Sequence, residues 1–69
     1  MASIFERLGN RIKKLRAKQG FSQEELAEKA KIDLTSVSEI ESGLRNPSLR
    51  TIHKISLALK VSLRDLFSE

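Results

Sequence analysis

The chain has 69 residues, with 13 lysines and arginines against 9 aspartates and glutamates, for a net charge of +4. It carries no cysteine and one histidine, His53, which excludes a disulfide framework, a thiolate metal site and any zinc site built from this histidine alone. With 39% hydrophobic and 32% charged residues, the composition is that of one globular domain, residues 1–69, rather than a disordered or membrane-like segment. No apolar run approaches the ~20 residues of a membrane span, and no signal peptide is read at the start. The inventory also lacks the parts of most catalytic sites. The expectation is a cytoplasmic module, not an enzyme, that works by binding and needs neither metal nor cofactor.

Positive charge favours a polyanionic partner, but it is unevenly spread. Residues 1–20 hold six bases and one acid, residues 21–42 two bases and six acids, and residues 43–69 five bases and two acids. A uniformly basic surface is therefore excluded.

Capping signals divide the chain into five helices. Ser3 with Glu6 forms a capping box, and Phe5, Leu8, Ile12 and Leu15 recur on one helical face, predicting a first helix over 4–18 that Gly20 ends. Ser22 with Glu25 repeats the box; Leu26, Ala27 and Ala30 supply a narrow apolar face, and the second helix stops near Ala30. Asp33 reads as the next N-cap, opening a third helix from Leu34 to Ser42 with Val37 and Ile40 inward and Gly43 at its end. The segment Leu44-Arg45-Asn46-Pro47 is the one loop, since the residue before proline disfavours helix. Ser48 caps a fourth helix, where Leu49, Ile52, Ile55 or Ser56, and Leu59 keep the period. Ser62 with Asp65 opens a last short helix, Leu63 to Phe67. No strand signal, repeat or linker competes, so the fold class is all-α.

The second and third helices are short, nearly contiguous and separately capped, which is the helix-turn-helix arrangement, spanning about 23–42. Ala27 and Ala30 let the two axes approach, and Val37 and Ile40 anchor the third helix from within. Its other flank, Leu34, Thr35, Ser36, Ser38, Glu39 and Ser42, is then free to face outward. A Ser/Thr-rich helix is poor on propensity, and packing supplies no reason for one here.

The stretches Arg11-Ile12-Lys13-Lys14-Leu15-Arg16, Gly20-Phe21-Ser22-Gln23-Glu24-Glu25-Leu26-Ala27, Val37-Ser38-Glu39-Ile40-Glu41-Ser42-Gly43, Asn46-Pro47-Ser48-Leu49 and Ala58-Leu59-Lys60-Val61-Ser62 resemble the Cro/cI-type helix-turn-helix (XRE) regulators of bacteria and phages. Asp33-Leu34-Thr35, Arg45-Asn46 and Ile52-His53-Lys54-Ile55 are similar to controller proteins of restriction–modification systems. The resemblance implies a five-helix, lambda-repressor-like domain that binds double-stranded DNA and regulates transcription. It implies base contacts from Leu34, Thr35, Ser36, Ser38 and Glu39, and backbone contacts from Ser22, Gln23, Lys31, Ser42, Arg45 and Asn46, the last two alternatively reaching toward the minor groove. It further implies a structural ion pair between Arg16 and Glu41. The chain departs from the family in three places. Lys31 and Lys60 stand where glycine is usual, so either these lysines take positive φ or the turns are remodelled. Leu34 stands where controller proteins often carry arginine, and leucine cannot make a bidentate guanine contact.

One such domain makes few base contacts, whereas two copies multiply them. A homodimer on a pseudo-palindromic operator is therefore expected, with residues 48–67 as the pairing surface and Leu57, Val61, Leu63 and Phe67 at its centre. RNA polymerase is a further candidate partner. The rival readings are an antitoxin of a toxin–antitoxin pair, a phage-type repressor, and a protein-interaction module that keeps the fold without DNA. Phe5, Phe21 and Phe67 read as core or interface, which disfavours a single-strand stacking platform.

Overall fold

The computed structural model describes residues 3–67; residues 1–2 and 68–69 of the expected 1–69 domain lie outside the described part. The described chain is five helices: α1 (Ile4–Lys18), α2 (Gln23–Ala30), α3 (Leu34–Glu41), α4 (Leu49–Leu59) and α5 (Leu63–Leu66). Ser3, Ser22, Ser48 and Ser62 each accept a hydrogen bond from the amide three residues on, and Glu6, Glu25 and Asp65 close reciprocal capping boxes at α1, α2 and α5. The caps explain why such short helices start where they do: each satisfies amides that would otherwise lack a partner.

α1 packs on α3 and α5, α2 on α3 and α4, and α4 on α5. The core is one cluster of Leu8, Ile12, Leu15, Leu26, Ala27, Ala30, Val37, Ile40, Ile52, Ile55, Leu59 and Leu66, with Phe21, Ile32, Ala58, Val61 and Leu63 partly buried against it. Side-chain bonds to backbone tie the periphery in: Arg11 Nε donates to the Asp65 carbonyl at 2.9 Å and Gln19 Nε2 to the Leu59 carbonyl at 2.6 Å. Ile55 and Ser56 are both buried, the Ser56 hydroxyl donating to the His53 carbonyl at 2.7 Å.

Four details differ from the sequence expectation. α3 ends at Glu41 with Ser42 as its C-cap, and α5 at Leu66 with Phe67 as its C-cap. Asp33 occupies the N-cap position of α3 in extended conformation but its side chain makes no cap bond. Phe5 and Leu49 keep the apolar period yet are exposed, at 36% and 70%. Both sit in the first turn of their helices, where side chains lean back toward the N-terminus and so project past the packed body.

Two glycines set how closely the elements meet. Gly9 is buried in the middle of α1, and a Cβ there would collide with the carbonyl oxygens of Ile40 and Glu41. The α1 backbone therefore rests directly on the last turn of α3. Gly43, at φ +77°, turns the chain out of α3 against Glu6, whose Cγ stands 2.7 Å from where a Cβ would be.

Candidate nucleic-acid interface

The link between α2 and α3 is a left-handed turn at Lys31, φ 57°. The amides of Lys31 and Ile32 close back on the carbonyls of Glu28 and Ala27 at 3.3 and 3.0 Å, the paired bonds of a Schellman ending. Lys60, φ 58°, ends α4 in the same way. Lysine thus takes the conformation that glycine adopts without strain, and neither turn is remodelled. From this turn α3 is seated by Val37 and Ile40, both about 1% exposed.

The end of α3 is fixed by a buried charge cluster. The Glu41 carboxylate, its side chain 3% exposed, accepts from Arg16 Nε at 2.6 Å, Arg16 Nη2 at 3.0 Å and Gln23 Nε2 at 3.0 Å. Arg16 Nη1 donates to the Phe21 carbonyl at 2.6 Å. Hydrogen bonding to Glu41 is the main reason the Arg16 guanidinium is held above its ordinary pKa. The expected ion pair is present, and it also takes in Gln23. That residue uses one amide proton to register the start of α2 against the end of α3 and keeps the other.

On the outward flank of α3, Leu34, Thr35, Ser38 and Ser42 are exposed and Ser36 and Glu39 half-buried. Arg45, from the loop after α3, reaches back over this flank. Its Nη1 donates to the Ser36 hydroxyl oxygen and its Nη2 lies 3.3 Å from Glu39 Oε1. The Ser42 hydroxyl is spent on its own helix, donating to the carbonyls of Ser38 and Glu39 at 2.9 and 3.2 Å; as arranged it holds no proton for a phosphate. Ser22 differs: its oxygen accepts the Glu25 amide at 3.0 Å, which leaves its proton available. Lys31 and Asn46 are exposed.

Of the expected pairing residues, Leu57 and Phe67 are 63% and 50% exposed, whereas Val61 and Leu63 pack partly against their own core. Leu44 and Leu49 add exposed apolar surface beyond the four expected pairing residues. Phe21 is half-buried beneath Lys29, whose Nζ stands 4.8 Å from the ring centroid, so it is no platform for bases. Among the described residues there is no cluster of three potential metal-ligating side chains and no helix long and apolar enough to cross a membrane. The sequence reading missed Gly9. Its signal was available: a glycine inside a helix costs about 0.5–1 kcal/mol relative to alanine and is kept where backbones approach.

A five-helix body with a helix-turn-helix, its second helix clamped inside and polar outside, defines the class. A helix-turn-helix family model matches residues 12–66, and the chain belongs to that family, a class of DNA-binding transcription regulators rather than of enzymes. Among individual relatives, the control protein C.MunI of Mycoplasma sp is 46% identical over 70 aligned positions, covering 100% of this chain and 95% of its own. The HTH-type transcriptional regulator SinR of Bacillus subtilis is 43% identical over 63 positions, covering 90% of this chain and 57% of SinR. Among solved structures, the restriction-modification controller protein C.AhdI from Aeromonas hydrophila superposes with a TM-score of 0.90 at 40% identity, covering 91% of this chain and 96% of that one. SinR, the master regulator for biofilm formation, solved in complex with DNA, superposes with a TM-score of 0.84 at 42% identity, covering 88% and 98%.

Proposed function

We propose that the chain is a sequence-specific double-stranded DNA-binding regulator of transcription that acts as a homodimer on a pseudo-palindromic operator, as a controller protein of a restriction–modification system. The observation that carries this reading is the two-sided character of α3: Val37 and Ile40 buried, Thr35 and Ser38 exposed on the other flank. Eight residues of helix are ~12 Å long, about the width of a major groove. Thr35 then offers a methyl to a thymine methyl and a hydroxyl to a base edge, Ser36 and Ser38 offer hydroxyls, and Glu39 accepts from cytosine N4. Leu34 makes apolar contact only.

The backbone is held by Ser22 and Gln23 at the positive end of α2, with Lys31, Arg45 and Asn46 flanking α3. Ser42 is the weakest member of that set, for want of a proton. The exposed Leu57 and Phe67 support a second copy of the chain as partner along 48–67. Contact with RNA polymerase beside a promoter would convert binding into activation, and occlusion into repression. The place of action is the cytoplasm, on the nucleoid.

The test is a fluorescence-anisotropy titration against a selected duplex and a mixed duplex over a series of salt concentrations. Affinity for both is expected to fall steeply with salt as Lys and Arg release condensed counterions, with the selected duplex bound tighter throughout. Equal affinity for the two duplexes at every salt concentration overturns the proposal.

A further inference from the structure

We infer that Arg45 is a positioning residue for base readout: it clamps Ser36 and Glu39 into one hydrogen-bonding unit, so that what they read depends on Arg45 being in place. The inference rests on the DNA-binding reading of α3 and goes beyond it, because Arg45 is there assigned to the DNA backbone. Two bonds carry it. Arg45 Nη1 donates to the Ser36 oxygen, and Nη2 pairs with Glu39 Oε1 at 3.3 Å.

Each bond has a chemical consequence. A serine hydroxyl can donate or accept; with one lone pair of its oxygen taken by a guanidinium, Ser36 is biased toward donating its proton. Glu39 is a carboxylate on the flank that meets a polyanion. Alone, it would repel phosphate and oppose every sequence equally. Paired with Arg45, its charge is offset at close range while Oε2 stays available to accept a base amino group. The unit therefore presents a defined pattern, donor at Ser36 and acceptor at Glu39. A lysine could supply the charge, but its ammonium lacks the planar fork that spans both partners.

The experiment uses the full chain and a labelled duplex selected by it, with each base pair of one half-site replaced in turn. Wild type, Arg45→Ala, Arg45→Lys, Glu39→Gln and the double variant Arg45→Ala/Glu39→Gln are titrated against the set. Arg45 is exposed in a loop, so its removal leaves the core intact. Arg45→Ala is expected to lose about tenfold discrimination at one or two adjacent base pairs, beyond any general weakening, with Arg45→Lys intermediate. Glu39→Gln should raise affinity about tenfold more in the Arg45→Ala background than in wild type, a coupling in the range that groups in contact show. If wild type discriminates but Arg45→Ala weakens every duplex by one common factor, and the Glu39→Gln effect is equal in both backgrounds, Arg45 touches phosphate alone and the inference falls. A wild type that prefers no duplex overturns the DNA-reading proposal itself.

Discussion

Glu41 and Gly9 fix how the last turn of α3 sits on α1 and α2, although both are buried away from its outward flank. Glu41 is buried with its negative charge answered by Arg16 and Gln23. Removing Arg16 strands that charge, and breaking a buried pair on one side costs about 3–5 kcal/mol, a large share of the stability of so small a domain. Arg16→Ala is therefore expected to lower the denaturation midpoint sharply, and an unchanged midpoint in urea would show that the ion pair stabilises nothing. Gln23→Ala should weaken binding to all sequences by a similar factor, because both the proposed phosphate contact and the registration of α2 are indifferent to base identity. Gly9→Ala brings a methyl against the carbonyls of Ile40 and Glu41. Backbone cannot yield as a flexible side chain can, so α1 and α3 must separate. The expected result is a destabilisation larger than the roughly 0.5–1 kcal/mol that alanine normally gains over glycine in a helix, and of opposite sign.

Among the helices, two lysines hold left-handed turns that strain any residue with a Cβ by about 1–2 kcal/mol. Lys60→Gly should raise the melting temperature and leave DNA affinity unchanged. Lys31→Gly should also stabilise, but with weaker DNA binding, since the turn between α2 and α3 loses a charge. Comparing the two variants by thermal melting and anisotropy separates strain from function. The caps make the helices sensitive to acid. The Ser22 and Ser62 amides, donating to Glu25 and Asp65, hold both carboxyls below their ordinary values. A carboxyl whose pKa is lowered by folding contributes stability above its unfolded value and loses it as pH falls through the folded one. The melting temperature should accordingly decline below about pH 4, and Glu25→Gln, which keeps a capping partner but does not titrate, should show a shallower decline.

The helices are also what the sequence shows most plainly. Serine caps, apolar period and Gly43 place all five of them closely, because each signal acts over three or four neighbours. What could not be read that way is long-range. Nothing local says that Gln23 and Glu41, far apart in the chain, close into one hydrogen bond, or that Arg45 folds back onto Ser36 and Glu39. Phe5 and Leu49 show the opposite failure: the period is right, but first turns lean out of the body.

Taken whole, the molecule measures 31 × 21 × 21 Å, while successive major grooves on one face of DNA are ~34 Å apart. With one helix-turn-helix per copy, the proposed reading gives a single copy one groove. Two copies joined through the surface that exposes Leu57 and Phe67 would reach two, which ties specificity to self-association. Leu57→Asp is expected to shift sedimentation toward monomer and to weaken binding to a full operator far more than to a half-site. Whether α3 reads sequence is decided most sharply by selection from a pool of random duplexes with the wild-type chain, followed by sequencing. Enrichment of one motif with two-fold symmetry is expected, its halves about one helical turn apart, and it should disappear when Thr35 and Ser38 are both replaced by alanine. An unenriched pool, or a motif unaffected by those replacements, would mean that the outward flank of α3 does not read DNA.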